Sequence, residues 1–383
     1  MIQIVTPNTV HPEQSTKSIF LAGPMSRTGG SDWRNDAIKI LQDSGYDGIV
    51  YDPRSNWGSE TFNFSTQVGW ELKALNRADV ILFWVPRTEE NPGFTTNVEF
   101  GKFVNSGRCV LGFPPDAMKM RYLEELAKDT KVPVFEDLSR CLEEAVILIG
   151  AGALRKGGEQ DVPLLVWKSA GFQSWLQAQK AVKNRLDSAE VLWTYRVGAD
   201  KKFLLAYTLQ VNVWVGEEGR HKSDEFIFSR PDISCVVAYR KVGNDILDSE
   251  IVLVREFRSP VRNSIGFVME VPGGSSFKPN MDPCLNAAKE LKEETGLEVS
   301  DLNRFRRLGS RQLTATLSTH HAHLFSIELT EKEMEFLEGK KGLAQGVLGD
   351  TERTYVEIQT LRALWANNEV DYSMLGMIFD ALT

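Results

Sequence analysis

Short apolar runs alternate with amphipathic segments along the first 150 residues. The runs contain almost no polar position, which is typical of strands buried on both faces of a parallel sheet. Between them, apolar residues recur every three or four positions, which predicts helices. This alternation predicts an α/β domain with a doubly wound, flavodoxin-like parallel sheet. Ligands of such sheets bind beyond the carboxyl ends of the strands. The predicted strands include SIFLA (18–22), DGIVY (47–51), ADVILFWV (78–85) and RCVLGF (108–113).

The pattern changes after residue 150. A stretch rich in glycine and charge, AGALRKGGEQ (151–160), is typical of a linker, and a helical pattern follows it. Strands separated by turns then dominate, and strong helices come late, which predicts an α+β domain. We therefore expect a first domain at 1–150, a linker with a connecting helix at 151–185, and a second domain at 186–383.

Composition and charge narrow the class of protein. The net charge of −8 disfavours nonspecific binding to a nucleic-acid backbone, but it is compatible with a pocket for a small nucleotide. The N-terminal residues lack a signal-peptide pattern, and no apolar run is long enough for a membrane span. The four cysteines have no metal-ligand spacing, which favours buried free thiols. We expect a cytoplasmic protein without a nucleic-acid or membrane partner.

One acidic helix in the second domain is the strongest chemical signal. In KELKEETGL (289–297), Glu290, Glu293 and Glu294 share one helix face. Three close carboxylates repel one another unless a cation lies among them, and Mg²⁺ commonly joins such carboxylates to substrate phosphates. Taken alone, the same spacing also suits a solvated acidic surface.

The surrounding residues resemble the Nudix hydrolase family, in its ADP-ribose pyrophosphatase branch. The resemblance lies in KELKEETGL, EVPGG (270–274) and IVLVREFRSPV (251–261), and it covers about 190 residues. It implies a Nudix fold, a Mg²⁺ or Mn²⁺ site at Glu290, Glu293 and Glu294, and a catalytic role for Glu290. The sequence departs from the Nudix signature at two positions. Met281 stands where the signature has a glutamate, and Ser275 stands where it has a glycine. The late catalytic glutamate has no clear match, with Glu352 as a loose candidate. An active hydrolase and an inactive nucleotide sensor therefore both remain open.

A second signal lies at the first strand of the N-terminal domain. The segment FLAGPMSRTGG (20–30) places glycines and an arginine between a strand and a helix, where backbone N–H groups can bind an anion. An ordinary strand-to-helix turn explains the same residues. Further along, WELKALNRADVILFWV (70–85) and NPGFTTNVEFGKF (91–103) resemble the nucleoside 2-deoxyribosyltransferase family and its relatives, the nucleotide N-glycosidases.

The resemblance implies roles for particular residues. Glu99 would be the nucleophile, and Glu71 would contact the nucleobase and assist its departure. The expected substrate-binding residues are Gly23, Ser26, Arg27, Trp57, Thr96 and Asn97. Without the resemblance, Glu99 is equally an acidic residue at a helix start and Glu71 an exposed helical acid. Water as the acceptor gives hydrolysis and a second base gives transfer, and the sequence does not choose between them.

Together the two signals predict a bifunctional nucleotide-processing enzyme. We also expect the protein to form a homo-oligomer. The first domain would cleave an N-glycosidic bond, and the second would hydrolyse a nucleoside diphosphate derivative such as ADP-ribose. Sequential degradation of a dinucleotide and clearance of unusual deoxynucleotides are two settings for this pair. The alternative is a single glycosidase or transferase regulated by an inactive, nucleotide-sensing Nudix domain.

Overall fold

The computed structural model describes residues 2–25, 32–55, 62–276, 281–346, 353–367 and 369–383. Contacts divide the chain into two compact units, Met1–Ser229 (unit 1) and Arg230–Thr383 (unit 2). In these ranges, no helix combines the length and the apolar character that a membrane crossing requires. All four cysteines are free, and Cys109, Cys141 and Cys235 are buried.

Unit 1 begins with alternating strands and helices, as the hydrophobic pattern predicts. In chain order they are β1 (Gln3–Val5), β2 (Gln14–Ser15), β3 (Ser18–Ala22), α1 (Trp33–Asp43), β4 (Ile49–Tyr51), α2 (Phe64–Arg77), β5 (Val80–Trp84), α3 (Phe94–Phe103), β6 (Cys109–Gly112), α4 (Arg121–Thr130), β7 (Val134–Phe135) and α5 (Leu138–Ile149). Asparagine or aspartate caps the helices that follow three of the loops: Asp32, Asn63 and Asp137 each accept a hydrogen bond from a backbone N–H of the first turn.

Six of these strands form one parallel sheet in the order β1-β4-β3-β5-β6-β7. Alternate side chains of β3 enter two separate cores, because successive residues of a strand point to opposite faces. Ile19 and Leu21 pack with α1 and α5, whereas Phe20 and Ala22 pack with α2, α3 and α4. Helices thus cover both faces, which confirms the α/β architecture predicted for the N-terminal part.

The strand order reverses direction at β3. The chain passes from β3 through α1 to β4 on one side, and then through α2 to β5 on the other side of β3. Such a reversal leaves a crevice outside the carboxyl ends of the two central strands. In this sheet the crevice lies beyond Ala22 and Trp84.

The remainder of unit 1 is a helical segment followed by an antiparallel sheet. Its elements are β8 (Arg155–Lys156), α6 (Leu164–Trp167), α7 (Ala170–Ala181), β9 (Arg185–Val197), β10 (Phe203–Val215) and β11 (Arg220–Ser229). β8 pairs with β2, and β9, β10 and β11 form a three-stranded sheet. Side chains of α7 and β10, including Phe172 and Leu209, belong to the same core as α1 and α5. Residues 151–229 therefore pack into unit 1, and contacts separate the units at Ser229 rather than at the predicted boundary of 185.

Unit 2 is built on a mixed sheet. Its elements are β12 (Ile233–Arg240), β13 (Glu250–Phe257), β14 (Phe267–Glu270), β15 (Gly273–Gly274), α8 (Pro283–Thr295), β16 (Arg306–Gln312), β17 (His321–Glu328), α9 (Glu331–Glu338), β18 (Ala344–Gln345), β19 (Thr354–Thr360), α10 (Leu361–Ala366) and α11 (Tyr372–Leu382). The main path runs β16-β17-β12-β13-β19-β18, with β14 beside β13 and β15 beside β12. β12 and β17 are parallel, and the other pairs are antiparallel.

Helices lie on both sides of this sheet as well. Val236 and Ala238 of β12 pack with α8 and α9, and Cys235 and Val237 pack with α10 and α11. The helix predicted to carry the acidic face of 289–297 is α8, which Asp282 caps at its start and Gly296 ends at a positive φ of 77°. This arrangement places the acidic face of α8 beside β15.

Candidate active site

The crevice at the strand reversal brings the ends of β3 and β5 into close contact. Gly23 follows β3, and a Cβ added to it would lie 2.1 Å from the carbonyl oxygen of Trp84. Glycine at this position lets the two backbones approach. Gly23 was predicted to bind substrate, and the contact with Trp84 gives it a definite role in shaping the crevice.

The loops after β3 and β5 are tied to each other. The side chain of Asn91 donates a hydrogen bond to the carbonyl of Met25 over 2.8 Å, and the Trp33 indole donates one to the carbonyl of Pro24 over 3.3 Å. Gly93 adopts a left-handed conformation, φ 61°, immediately before α3 and packs against Pro24. These contacts fix the start of α3, the helix that carries Glu99.

Arg34 is a completely buried cation beneath the crevice. Its guanidinium donates to the carbonyls of Leu21 and Gly23, over 3.1 and 2.6 Å, and to the carboxylate of Asp32 over 3.3 Å. Its planar fork therefore joins the end of β3 to the start of α1. The positive charge also favours ionisation of both Glu71 and Glu99.

Glu71 projects from the middle of α2. Gln67, one turn earlier, donates a hydrogen bond to the Glu71 carboxylate over 2.8 Å and another to the carbonyl of Pro53 over 2.8 Å. Burial raises the pKa of Glu71, while the bond from Gln67 and the charge of Arg34 act in the opposite direction. Glu71 is thus a positioned carboxyl group with a bias toward its protonated form, which suits an acid that assists a leaving group.

Glu99 lies in the second turn of α3 and is only partly accessible. Burial, and then the nearby Glu71 carboxylate, raise the pKa of Glu99 to about 8, although Arg34 opposes the shift. Two carboxyl groups that influence each other in this way titrate as a pair. The structure thus brings together the two acidic residues that the sequence analysis assigned to catalysis.

The other predicted substrate residues of α3 have different environments. Thr96 is buried. The side-chain oxygen of Asn97 accepts a hydrogen bond from Arg87, which also donates to the carbonyl of Lys119 over 3.0 Å. In this state Asn97 holds the loop after β5 in place. Ser26, Arg27 and Trp57 lie outside the described residues.

The acidic face of α8 in unit 2 splits into two environments. Glu294 is buried and accepts a hydrogen bond from the backbone N–H of Gly273 over 3.0 Å. Glu290 lies against Gly274, where an added Cβ would come within 2.8 Å of its carboxylate. Glu293 instead forms a salt bridge of 3.0 Å with Lys289, whose side chain is half exposed. Two of the three predicted ligands therefore face β15, and the third has a cationic partner.

A metal-binding group is not preformed in the parts of the chain that the structure covers. Among those residues, no three or more His, Cys, Asp or Glu side chains are arranged to hold a metal ion. Ser275 follows β15 and donates to the carbonyl of Pro231 over 3.4 Å, and Met281 is half-buried before α8. Glu352 lies outside the described ranges. The Mg²⁺ site thus stays a prediction that rests on the sequence motif.

Two residues of the crevice were not predicted. Arg34 interacts with both glutamates. In the sequence it could have been noticed only as a basic residue in the first helical turn after a glycine-rich loop. Gln67 has a clearer signal, because a glutamine four residues before a glutamate on one helix can bond to it. Neither signal is specific without knowledge of which helix face is buried.

Comparison with known proteins supports the resemblance of unit 1 to the nucleoside 2-deoxyribosyltransferase family. Residues 16–117 match the family model described as "Nucleoside 2-deoxyribosyltransferase like", and this span includes both Glu71 and Glu99. No curated protein matches the chain. The chain therefore contains a nucleoside 2-deoxyribosyltransferase-like domain, which indicates an enzyme acting on nucleosides. The matched residues lie within unit 1, so the Nudix resemblance of unit 2 depends on its sequence motifs alone.

Proposed function

We propose that unit 1 cleaves the N-glycosidic bond of a nucleotide or nucleoside, with Glu99 as nucleophile and Glu71 as the acid that assists departure of the base. The observation that carries this proposal is the interacting Glu71–Glu99 pair beside the crevice at the strand reversal. The family match over residues 16–117 supports the same chemistry.

The protonation of the pair suits the reaction. Because the pKa of Glu99 is about 8, the Glu71–Glu99 pair holds a proton at neutral pH, and Glu71 carries that proton in the reacting form. In the reacting form, the Glu99 carboxylate bonds to C1′ as the bond from C1′ to the base nitrogen breaks. The base leaves with the electron pair and receives the proton through Glu71. Water or a second base then displaces Glu99 from C1′.

The test is a Glu99→Gln variant of the full chain, assayed for released base across a panel of nucleosides and nucleotides by mass spectrometry. Glutamine keeps the shape of the side chain but cannot act as the nucleophile, so base release should fall by at least about a thousandfold. A Glu125→Gln variant on the exposed surface of α4 serves as the control. Base release by Glu99→Gln at the wild-type rate would rule out the assigned nucleophile.

We also propose that unit 2 hydrolyses a nucleoside diphosphate derivative such as ADP-ribose with the help of Mg²⁺. Glu290 and Glu294, together on one side of α8, would hold the metal, and Glu293 would join them after leaving its partly exposed salt bridge with Lys289. An exposed ion pair of this kind is weak, so little free energy opposes the exchange. Mg²⁺ would supply charge neutralisation at the diphosphate, and Glu290 would orient or deprotonate water.

The double variant Glu293→Gln/Glu294→Gln separates the two functions in one protein. With ADP-ribose and Mg²⁺, it should lose release of AMP but keep the base release that depends on Glu99. Wild-type protein that binds ADP-ribose without cleaving it would support the sensor alternative, which the Lys289–Glu293 salt bridge favours. Wild-type protein that neither binds nor cleaves ADP-ribose or other diphosphates would remove unit 2 from nucleotide chemistry.

A further inference from the structure

A second cavity of unit 1 lies at the amino edge of the parallel sheet, away from Glu99. It has a volume of about 700 Å³. Asn76, just before β5, and Arg108, just before β6, mark its position at the amino ends of those strands. The antiparallel strand β9 forms another of its walls through residues 190–196. None of these residues belongs to the proposed active site.

Four cationic side chains line this cavity, and none of them has an acidic partner among the residues that the structure describes. Arg108, which is buried, donates to the carbonyls of Leu75 and Ala78. The other three are Lys102, Arg196 and Lys201. Among the described residues of the lining, the one carboxylate is that of Glu190, which accepts a hydrogen bond from Asn76 over 3.0 Å. The cavity therefore carries an excess of positive charge in a protein whose net charge is −8.

Arg196 is the most informative of these cations. Its guanidinium donates to the carbonyl of Lys201 over 2.7 Å and, more weakly, to that of Asn105 over 3.4 Å. Its Nε is buried and has no hydrogen-bond partner in the described structure. A buried, unpaired N–H of a charged group is costly, and a shift of the Arg196 side chain toward an anionic oxygen in the cavity would satisfy it.

Two aromatic side chains accompany the cations. Trp193 and Tyr195 lie on β9 with nearly parallel rings, at an angle of 7° and a centroid separation of 5.7 Å. Each is about half exposed, 49% and 50%. Exposed aromatic rings beside arginine and lysine are the combination that binds a planar base together with a phosphate.

We propose that this cavity binds a phosphorylated ligand with a planar ring, that is, a nucleotide, at a site separate from the Glu99 crevice. The phosphate would contact Arg196 and Lys102, and the ring would stack on Trp193 or Tyr195. The proposal does not depend on the function assigned to unit 1, since it uses different residues and a different edge of the sheet.

The test measures AMP binding to the full chain by calorimetry, with hydrogen–deuterium exchange to locate the site. All proteins carry Glu99→Gln to prevent turnover. AMP should protect the amides of β9, an edge strand of its sheet, from exchange. Inorganic pyrophosphate should compete for the site, and adenosine should bind more weakly than AMP.

Variants then assign the contacts. Lys102→Ala, at an exposed position, and the double variant Lys102→Ala/Arg196→Gln should weaken the AMP binding that protects β9, the double variant by at least tenfold. Trp193→Ala should weaken AMP but leave pyrophosphate unaffected. Lys39→Ala, which removes an exposed cation from α1, should change neither the binding of AMP nor that of pyrophosphate.

Two results would overturn the proposal. One is that millimolar AMP and pyrophosphate leave the exchange of β9 unchanged. The other is that Trp193→Ala converts an oligomer into a monomer in light scattering without altering AMP binding, since the aromatic pair would then be a subunit contact. Loss of AMP cleavage by Glu99→Gln bears only on the active site and leaves this test intact.

Discussion

Glu99 must satisfy two opposing demands. A nucleophile has to be ionised, yet burial and the neighbouring Glu71 both favour its protonated form and raise its pKa to about 8. Arg34 counteracts this from below the crevice. The side chain therefore changes its charge within the range of ordinary assays, and that gives two measurable consequences.

The first consequence concerns rate. The kcat/KM for base release should fall as pH rises through about 8, because the reactive pair holds one proton for the departing base and loses it there. In Glu71→Gln the repulsion and the shared proton both disappear, so the decline near pH 8 should be lost, and the maximal rate should fall because the base leaves without its acid. A pH dependence of kcat/KM that is unchanged in this variant would show that Glu71 does not act on Glu99 electrostatically.

The second consequence concerns stability. The folded state retains a proton on Glu99 that the unfolded chain releases above its ordinary pKa of 4.5, so this group lowers stability as pH rises from about 4.5 to 8. Glu99→Gln removes the effect. Its gain in free energy of unfolding should be near zero at pH 4 and about 2 kcal/mol above pH 8, since one pKa unit corresponds to about 1.4 kcal/mol and partial solvent access reduces the total. Denaturant unfolding at several pH values measures it, with Glu125→Gln expected to show no such trend.

At the level of elements, one buried ion pair fastens residues 155–164 to the parallel sheet. Arg155 donates two hydrogen bonds to Asp79, over 2.7 and 2.6 Å, at the start of β5. The same carboxylate accepts from the backbone N–H of Leu164 over 2.8 Å and from the hydroxyl of Ser18 over 3.1 Å. Both charged side chains are about 1% exposed. Asp79, part of the sequence motif around β5, thus has a structural role at the edge opposite Glu99.

Arg155→Met should lower the free energy of unfolding of unit 1 by about 3–5 kcal/mol, because it leaves the Asp79 carboxylate buried without its partner. Adding Asp79→Asn removes that charge, so the double variant should recover part of the loss. Lys222→Ala breaks an exposed salt bridge with Glu225 and should cost less than about 1 kcal/mol. Equal effects of Arg155→Met and Lys222→Ala in urea unfolding would contradict the assigned role.

At the level of the whole molecule, the position of the division between units decides where the chain can be cut. Fragments 1–229 and 230–383 should each be soluble and show cooperative unfolding, because each retains its own cores. A fragment 1–152 should be insoluble or unfold with little cooperativity. It loses Arg155, and it exposes side chains that pack against α7 and β10. Circular dichroism and thermal unfolding of the three fragments test this, and a stable 1–152 fragment would contradict it.

Much of the fold was predictable because it depends on local pattern. The continuous apolar strands and the helical periodicity between them predicted the parallel sheet. Glu71 and Glu99 could be selected as partners because the residues around them resemble the nucleoside 2-deoxyribosyltransferase family, whose model matches the same span.

Other features depend on contacts between residues far apart in the chain. Whether β9 to β11 belong to the first or the second unit is not encoded in their alternating pattern, since either core could bury their apolar face; the packing of Leu209 with Phe172 and the helices α1 and α5 decides it. The importance of Arg34 emerges only when its guanidinium reaches two carbonyls of β3. The cationic cavity likewise combines residues from 76 to 201, whose charges become significant only once folding removes them from water and from acidic partners. The sequence by itself determined the elements through short-range periodicity, and its resemblance to known families identified the candidate carboxylates. Tertiary structure alone decided which of them meet and how burial tunes their charge, because burial is a property of the assembled core.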